Sequence, residues 1–337
     1  MRAMYLEKSG VIVEKHVPKP VPQADEVLVK IKAVGVCGSD IEYYEHGRIG
    51  NFIVEKPLIL GHEASGAVVE VGESVTSLEV GDRVTLEPGI PCRKCEFCKS
   101  GRYNLCPNVQ FMATPPVDGA FREYVAHPAD FAFKIPDSLS FEEAALIEPL
   151  SVGIHVARRA NVQPGDRVLI LGAGPIGIMC LETSLIRGAL EVTVTDVIDF
   201  RLAKAEALGA TEIINAKTTP TDSYAKTFDK VIQTAGTSET YAQGLALAAR
   251  GGRIVQVGHP SVQHVPIDAN LLITKELDMV GSYRYTNTYP EAISLINARK
   301  VHLKPLISKS FSFEEVEKAL EYPKQHPDSC IKAVVRF

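Results

Sequence analysis

The sequence predicts an α/β parallel-sheet domain joined to a mainly-β domain, and three observations carry that prediction. The first third mixes short apolar runs with proline-rich turns. From about residue 150 onward, strand-like and helix-like segments alternate. A G-x-G-x-x-G run stands at the first strand–helix junction of that second region. At 337 residues the chain exceeds one ordinary core and suits two domains.

In the β-rich part, Val27, Val29 and Ile31 alternate with Leu28, Lys30 and Lys32, the pattern of a half-buried strand. Gly66 to Val71 gives a second strand, and the Gly81-Asp82 turn leads into a third over Arg83–Leu86. Prolines at 18, 20, 22, 57, 88 and 91 argue against long helices here, so a small barrel or paired sheets is expected. In the second region Val168 to Leu171 is a continuous apolar strand of the kind buried on both faces. It is followed by a helix over Pro175–Ile186, then Val192–Thr195 (strand), Arg201–Leu208 (helix), Glu212–Ile214 and Lys230–Gln233 (strands), Glu239–Ala249 (helix) and Arg253–Val257 (strand). This alternation predicts βαβ units and a parallel sheet. The tail is mixed: helices over Pro290–Ala298 and Phe313–Tyr322, and a closing strand over Ile331–Phe337 that returns to the first domain. The expected division is therefore residues 1–150 plus 290–337, and residues 151–289.

Composition excludes several classes. A net charge of -5 without a block of like charges gives no nucleic-acid surface. Met1 to Leu6 has no signal-peptide pattern. The longest apolar tract, Val168–Leu181, is short for a membrane span and is broken by Gly172, Gly174, Pro175 and Gly177. A cytoplasmic protein is expected, and in that reducing compartment its seven cysteines point to metal more than to disulfides.

Gly172-Ala173-Gly174-Pro175-Ile176-Gly177 has the context a dinucleotide site needs, following a strand and opening a helix. The first glycine turns the chain, the second admits a pyrophosphate, and the third lets helix and strand pack. Unpaired N–H groups at the helix start then face the phosphates. Asp196 ends the next strand, where a carboxylate accepts both ribose hydroxyls and repels a 2′-phosphate. NAD is thereby favoured over NADP, although the nearby Arg201 is a residue type that receives that phosphate.

Cys92, Cys95, Cys98 and Cys106 supply four thiols within fifteen residues, a donor set suited to a closed, structural zinc. An iron–sulfur cluster is the rival, but the proline-flanked second run of such proteins is missing. A second site needs residues far apart: Cys37 in GVCGSD, His62 and Glu63 in LGHE, and Glu148 in ALIEP. Singly, each reads as a buried thiol, a capping histidine or an exposed glutamate; their joint occurrence is the signal.

On these motifs the sequence resembles the zinc-containing medium-chain dehydrogenases, and within them the polyol (sorbitol and xylitol) branch. The resemblance runs nearly end to end, through Gly35–Asp40, GHEA at 61–64, GDRV at 81–84, EAALIEPLSVG at 143–153 and the fingerprint. YYEHGRIG at 43–50, ATPP at 113–116 and YRYTNTY at 283–289 point to the branch. It implies a GroES-like catalytic domain joined to a Rossmann domain, a homo-oligomer (tetramer), and catalytic zinc held by Cys37, His62 and a glutamate. Glu63 is the favoured inner ligand, with Glu148 contacting bound water or substrate or exchanging with Glu63. The implied reaction is oxidation of a secondary hydroxyl to the ketone by way of a zinc-bound alkoxide, with hydride passing to NAD.

The resemblance further assigns the cofactor to Gly172, Gly174, Ile176, Gly177, Asp196, Arg201, Val257, Gly258, His259, Ser282, Tyr283 and Arg284. It assigns the substrate to Tyr43, Glu148, Arg284 and Tyr285, all able to hydrogen-bond hydroxyls. Two departures from the family stand out. Glu42 occupies a proton-relay position usually filled by histidine while Ser39 is kept, so either Glu42 accepts the proton or the relay runs through water and Glu148. The segment Lys217–Phe228 is also short. A threonine or 2,3-butanediol dehydrogenase shares the same motifs, and a zinc-bearing NAD-binding protein without turnover is the non-enzyme alternative. Sorbitol and xylitol both fit the resemblance.

Overall fold

The structure, a computed structural model, describes residues 1–220, 224, 226–260 and 264–337. The chain forms two units. The first comprises Met1–Glu148, Tyr289–Asn297 and Leu303–Phe337; the second comprises Pro149–Thr288 and Ala298–His302. Relative to the division read from the sequence, the tail thus sends one short stretch, Ala298–His302, to the second unit. There the buried Glu182 accepts hydrogen bonds from the His302 backbone and ring.

The first unit is built on a seven-stranded sheet. Its spatial order is Ala132–Lys134, Arg83–Leu86, Glu63–Val71, Glu26–Gly35, Lys332–Arg336 and Ile307–Ser312, with Tyr124–Pro128 also pairing with Glu26–Gly35. The closing strand returns as the sequence suggested, and Val334 lies opposite Gly35. Val27, Val29 and Ile31 are buried, but so is Leu28, expected on the outer face, because this central strand is flanked and covered more completely than a half-exposed one. Of the helices that the sequence pattern does not give, two carry residues of the expected site. Gly38–His46 is only nine residues and follows directly on a strand. Ile147–Ala160 carries Pro149 in its first turn, where proline's missing N–H costs nothing. Tyr289 is fully buried in this unit, its hydroxyl donating to the Leu86 carbonyl at 2.9 Å.

The second unit holds a six-stranded parallel sheet in the order Glu212–Asn215, Glu191–Asp196, Arg167–Leu171, Phe228–Gln233, Ala248–Gln256, Asp278–Gly281. In chain order that is 3-2-1-4-5-6, the doubly wound arrangement whose crevice lies where the order reverses, between Arg167–Leu171 and Phe228–Gln233. The helix expected over Glu239–Ala249 ends earlier, at Leu247. Ala248 turns extended and starts the next strand, while Lys275 Nζ donates to the carbonyls of Leu245, Ala246 and Ala248 and so closes the helix. Part of the Lys217–Phe228 segment, residues 221–223 and 225, lies outside the described residues. Among the described residues no helix is long and apolar enough to cross a membrane.

Candidate metal and nucleotide sites

Cys37, His62 and Glu63 converge in the first unit, their ligand atoms all within 4.8 Å of one another. The central strand Glu26–Gly35 delivers Cys37 just beyond its end, at the N-cap of helix Gly38–His46. The neighbouring strand begins at Glu63, paired directly with Gly35. Asp40, fully buried, binds both approaches: Oδ2 accepts the Cys37 amide at 3.0 Å, and Oδ1 accepts the Gly61 amide at 2.9 Å and lies 3.6 Å from His62 Nδ1. The Phe111 ring packs beside the His62 ring at 5.5 Å.

The electrostatics call for a cation. Burial opposes charge on His62, yet Asp40 and the Cys37 sulfur outweigh it and raise the imidazole well above its ordinary pKa. Lys332 is likewise opposed by burial and raised by Glu63, Cys37 and Glu148. One Glu63 oxygen, Oε2, is buried without a hydrogen-bond partner. A thiol, an imidazole and a carboxylate with a spare oxygen, in a negative field, fit a zinc ion with a position left for substrate. Glu148 is buried too, but it stands outside this group of three and contributes its charge to the neighbourhood. Ser39 and Glu42 lie on helix Gly38–His46; Glu42 is exposed, 4.0 Å from His46 Nε2, and Tyr43 is buried.

Cys92, Cys95, Cys98 and Cys106 form the second cluster. Their sulfurs approach to 3.4 Å (Cys95–Cys98) and 4.0 Å (Cys92–Cys98), near the roughly 3.8 Å that four Zn–S bonds of about 2.3 Å impose in a tetrahedron. Backbone N–H groups of Lys94 and Cys95 lower Cys92 to about 6, while burial and the adjoining thiols push Cys98 up to about 12. A divalent ion relieves that competition by taking all four as thiolates. The lobe is anchored by Tyr103, whose hydroxyl donates to the buried Glu87 carboxylate at 2.6 Å and whose ring meets Phe131 edge-on, and by Arg93 on Asp130 at 2.7 Å.

In the second unit the glycine fingerprint lies at the switch point. Gly172 has φ +108°, a value side-chain-bearing residues avoid, and a Cβ on Gly177 would strike the Gly172 carbonyl oxygen. Above Gly174 the space is open, as a pyrophosphate requires. Thr234, which the sequence did not single out, donates to the Leu171 and Gly172 carbonyls at 2.9 and 3.0 Å and pins this turn. Asp196 ends its strand as expected, but its carboxylate is already engaged: Oδ2 accepts the Ala173 amide at 2.7 Å, and Oδ1 accepts those of Val197 and Ile198. Ile176 and Arg201 are half-buried on the adjoining helices, and Val257, Gly258 and His259 follow the fifth strand. Ser282, Tyr283, Arg284 and Tyr285 follow the sixth; Arg284 has φ +50° and stacks on the Tyr283 ring, while Tyr285 is buried.

Residues 23–137 match the alcohol dehydrogenase GroES-like domain, and residues 175–298 match the zinc-binding dehydrogenase domain. Over its full length the chain is similar to a sorbitol dehydrogenase of Bacillus subtilis, with 46% identity covering 99% of this chain and 97% of the relative. It is 42% identical to a D-xylulose reductase of Saccharomyces cerevisiae, again covering 99% and 97%. Among solved structures, an Escherichia coli oxidoreductase/dehydrogenase of unknown specificity superposes with a TM-score of 0.95 at 38% identity, covering 99% of this chain and 98% of that one.

Proposed function

Because the chain belongs to the zinc-binding, GroES-like alcohol dehydrogenase family, we propose that Cys37, His62 and Glu63 hold the zinc at which a polyol's secondary hydroxyl is oxidised. The activity is that of a zinc-dependent, NAD-linked polyol dehydrogenase, in keeping with the likeness to a sorbitol dehydrogenase and a D-xylulose reductase. The convergence of thiol, imidazole and carboxylate on one point carries the reading. Bound there, zinc would supply a Lewis acid able to make a hydroxyl acidic near neutral pH, and NAD would supply the hydride acceptor.

The chain's own groups do the rest. Asp40 faces His62 Nδ1 and so leaves Nε2 for the metal. Cys92, Cys95, Cys98 and Cys106 hold the second, structural zinc. Gly172, Gly174, Ile176 and Gly177 cradle the pyrophosphate, Asp196 and Arg201 meet the adenosine ribose, and Val257–His259 and Ser282–Arg284 complete the cofactor site. Tyr43, Glu148, Arg284 and Tyr285 offer polar groups that a polyol satisfies and a simple alkyl alcohol strands, a difference able to discriminate strongly. Glu148, buried and in the electrostatic neighbourhood of Lys332, would take the hydroxyl proton by way of water; Glu42 is exposed beside His46 and is the poorer acceptor. Cysteines grouped as metal ligands are in keeping with a cytoplasmic enzyme, and a homo-oligomer is expected from the family.

A panel of sorbitol, xylitol, threonine and 2,3-butanediol, run with metal analysis on the same preparation, tests this. Two zinc ions per chain, one of them lost in Cys37→Ala, and preference for a polyol are expected. Faster turnover of threonine, or metal content unaffected by Cys37→Ala, overturns the substrate or the site respectively.

A further inference from the structure

The Glu63 side chain does not simply point at the metal position; it sits in a seat built by two residues that are not ligands. Lys332, almost fully buried, reaches from the closing strand to donate to Glu63 Oε1 at 2.5 Å and to the Val36 carbonyl at 2.9 Å. On the other side, Oε2 occupies the space a side chain on Gly35 would fill, since a Cβ built there overlaps that oxygen. The sheet places all three: Gly35 is the cross-strand partner of Glu63, and Val334, two residues after Lys332, is opposite Gly35 on the other flank. Gly35 here is a matter of room, not of a left-handed backbone; among the described residues it is missing from those with positive φ.

We propose that Gly35 and Lys332 are positioning residues that set how tightly Glu63 grips the metal, with Lys332 competing against the ion for the carboxylate. The proposal rests on the reading of Cys37, His62 and Glu63 as the ligand set. Its logic is charge arithmetic. A thiolate and a carboxylate neutralise a divalent ion, which blunts its pull on a hydroxyl oxygen. An ammonium on the carboxylate's Oε1 withdraws part of that negative charge and leaves the ion a stronger Lewis acid. Remove the ammonium, and the buried carboxylate has one partner left, the metal itself; it then binds harder, and the metal leaves more slowly.

The test uses the full-length zinc-loaded protein. Zinc release to a chromophoric chelator is timed for wild type, Lys332→Met, Lys332→Arg and Gly35→Ala, each also as the cobalt(II)-substituted protein for its visible absorption. Lys332→Met is expected to slow release from the Cys37 site about tenfold or more, to shift the cobalt bands, and to lower the melting temperature of metal-free protein more than that of loaded protein. Lys332→Arg is expected to restore release towards the wild-type rate. In Gly35→Ala, the added methyl displaces the carboxylate and is expected to shift the cobalt bands while Lys332 is intact. In a Glu63→Gln background, Lys332→Met is expected to leave release unchanged, and this double variant avoids an unpaired buried carboxylate should the single variant fold poorly. Unchanged or faster release in Lys332→Met, with wild type still losing one zinc on Cys37→Ala, overturns the seat and leaves the ligand set standing. A Cys37→Ala protein that keeps both zinc ions overturns the ligand set itself.

Discussion

Asp40 Oδ1 lies 3.6 Å from His62 Nδ1 while the same oxygen accepts the Gly61 amide, so one buried carboxylate orients the imidazole and the loop that carries it. Its other oxygen accepts the Cys37 amide. Asp40→Asn keeps an oxygen for one of these amides but removes the charge facing the ring. Loss of such an outer partner typically costs about 10- to 100-fold in metal affinity or activity. Asp40→Ala leaves two amides without acceptors and adds a stability loss of about 1–3 kcal/mol for each that stays buried. Chelator competition and urea unfolding separate the two: Asn weakens metal far more than it weakens the fold, and Ala weakens both. Equal metal affinity in wild type and Asn would remove Asp40 from this role.

His127 gives the fold a pH dependence of its own. The ring is buried, Nε2 donates to the Glu87 carbonyl at 3.0 Å, and burial lowers its pKa from 6.5 to about 4 in spite of the carbonyls that favour the charged form. The folded state therefore holds the neutral ring where the unfolded chain takes up a proton. The stabilisation is full above pH 6.5 and is lost as pH falls through that value towards 4, at about 1.4 kcal/mol per pH unit and about 3 kcal/mol in all as an upper figure. In His127→Gln, which keeps a donor and never titrates, the difference from wild type in unfolding free energy should change with pH across that window. A constant difference between pH 7.5 and 4.5 contradicts it.

Local chemistry was readable in the chain, and long-range partnership was not. The fingerprint Gly172–Gly177 and the four-cysteine lobe each fit inside one short window, so spacing alone exposed them. Cys37 and His62 are separated by helix Gly38–His46 and three two-residue strands; only resemblance brought them together before the sheet did. Lys332 carried no signal at all, since a lysine in a closing strand reads as solvated until strand pairing places it against Glu63. Helix Gly38–His46 was missed because nine residues with three acidic side chains and a histidine show no clear apolar stripe. The reading of Leu28 as an outward residue failed for a related reason: alternation reports one covered face, and this strand has more.

The cysteine lobe should hold its metal independently of the Cys37 site. Cys98→Ser removes one of four thiols and opens a closed shell, so one zinc per chain is lost and the lobe loosens, although Tyr103–Glu87 and Arg93–Asp130 still tether it. Proteolysis within residues 92–106 should accelerate while the metal of the Cys37 site is retained. Loss of both ions in Cys98→Ser would mean that the two sites are not independent.

Asp196 performs two tasks, and substitutions can separate them. In the proposed cofactor site its charge meets the adenosine ribose and disfavours a 2′-phosphate. Its oxygens also accept the amides of Ala173, Val197 and Ile198, tying the glycine turn to the end of the neighbouring strand. Asp196→Asn removes the charge and keeps one acceptor oxygen, so the NADP-to-NAD ratio of kcat/KM should rise about tenfold or more while the turn stays largely in place. Asp196→Ala removes the acceptors as well. It should raise the ratio by a similar factor, weaken binding of both reduced cofactors in fluorescence titration, and lower stability by about 1–3 kcal/mol through amides left unpaired. If both variants keep the wild-type ratio, Asp196 is only a loop tie, and the preference for NAD must come from shape or from Arg201.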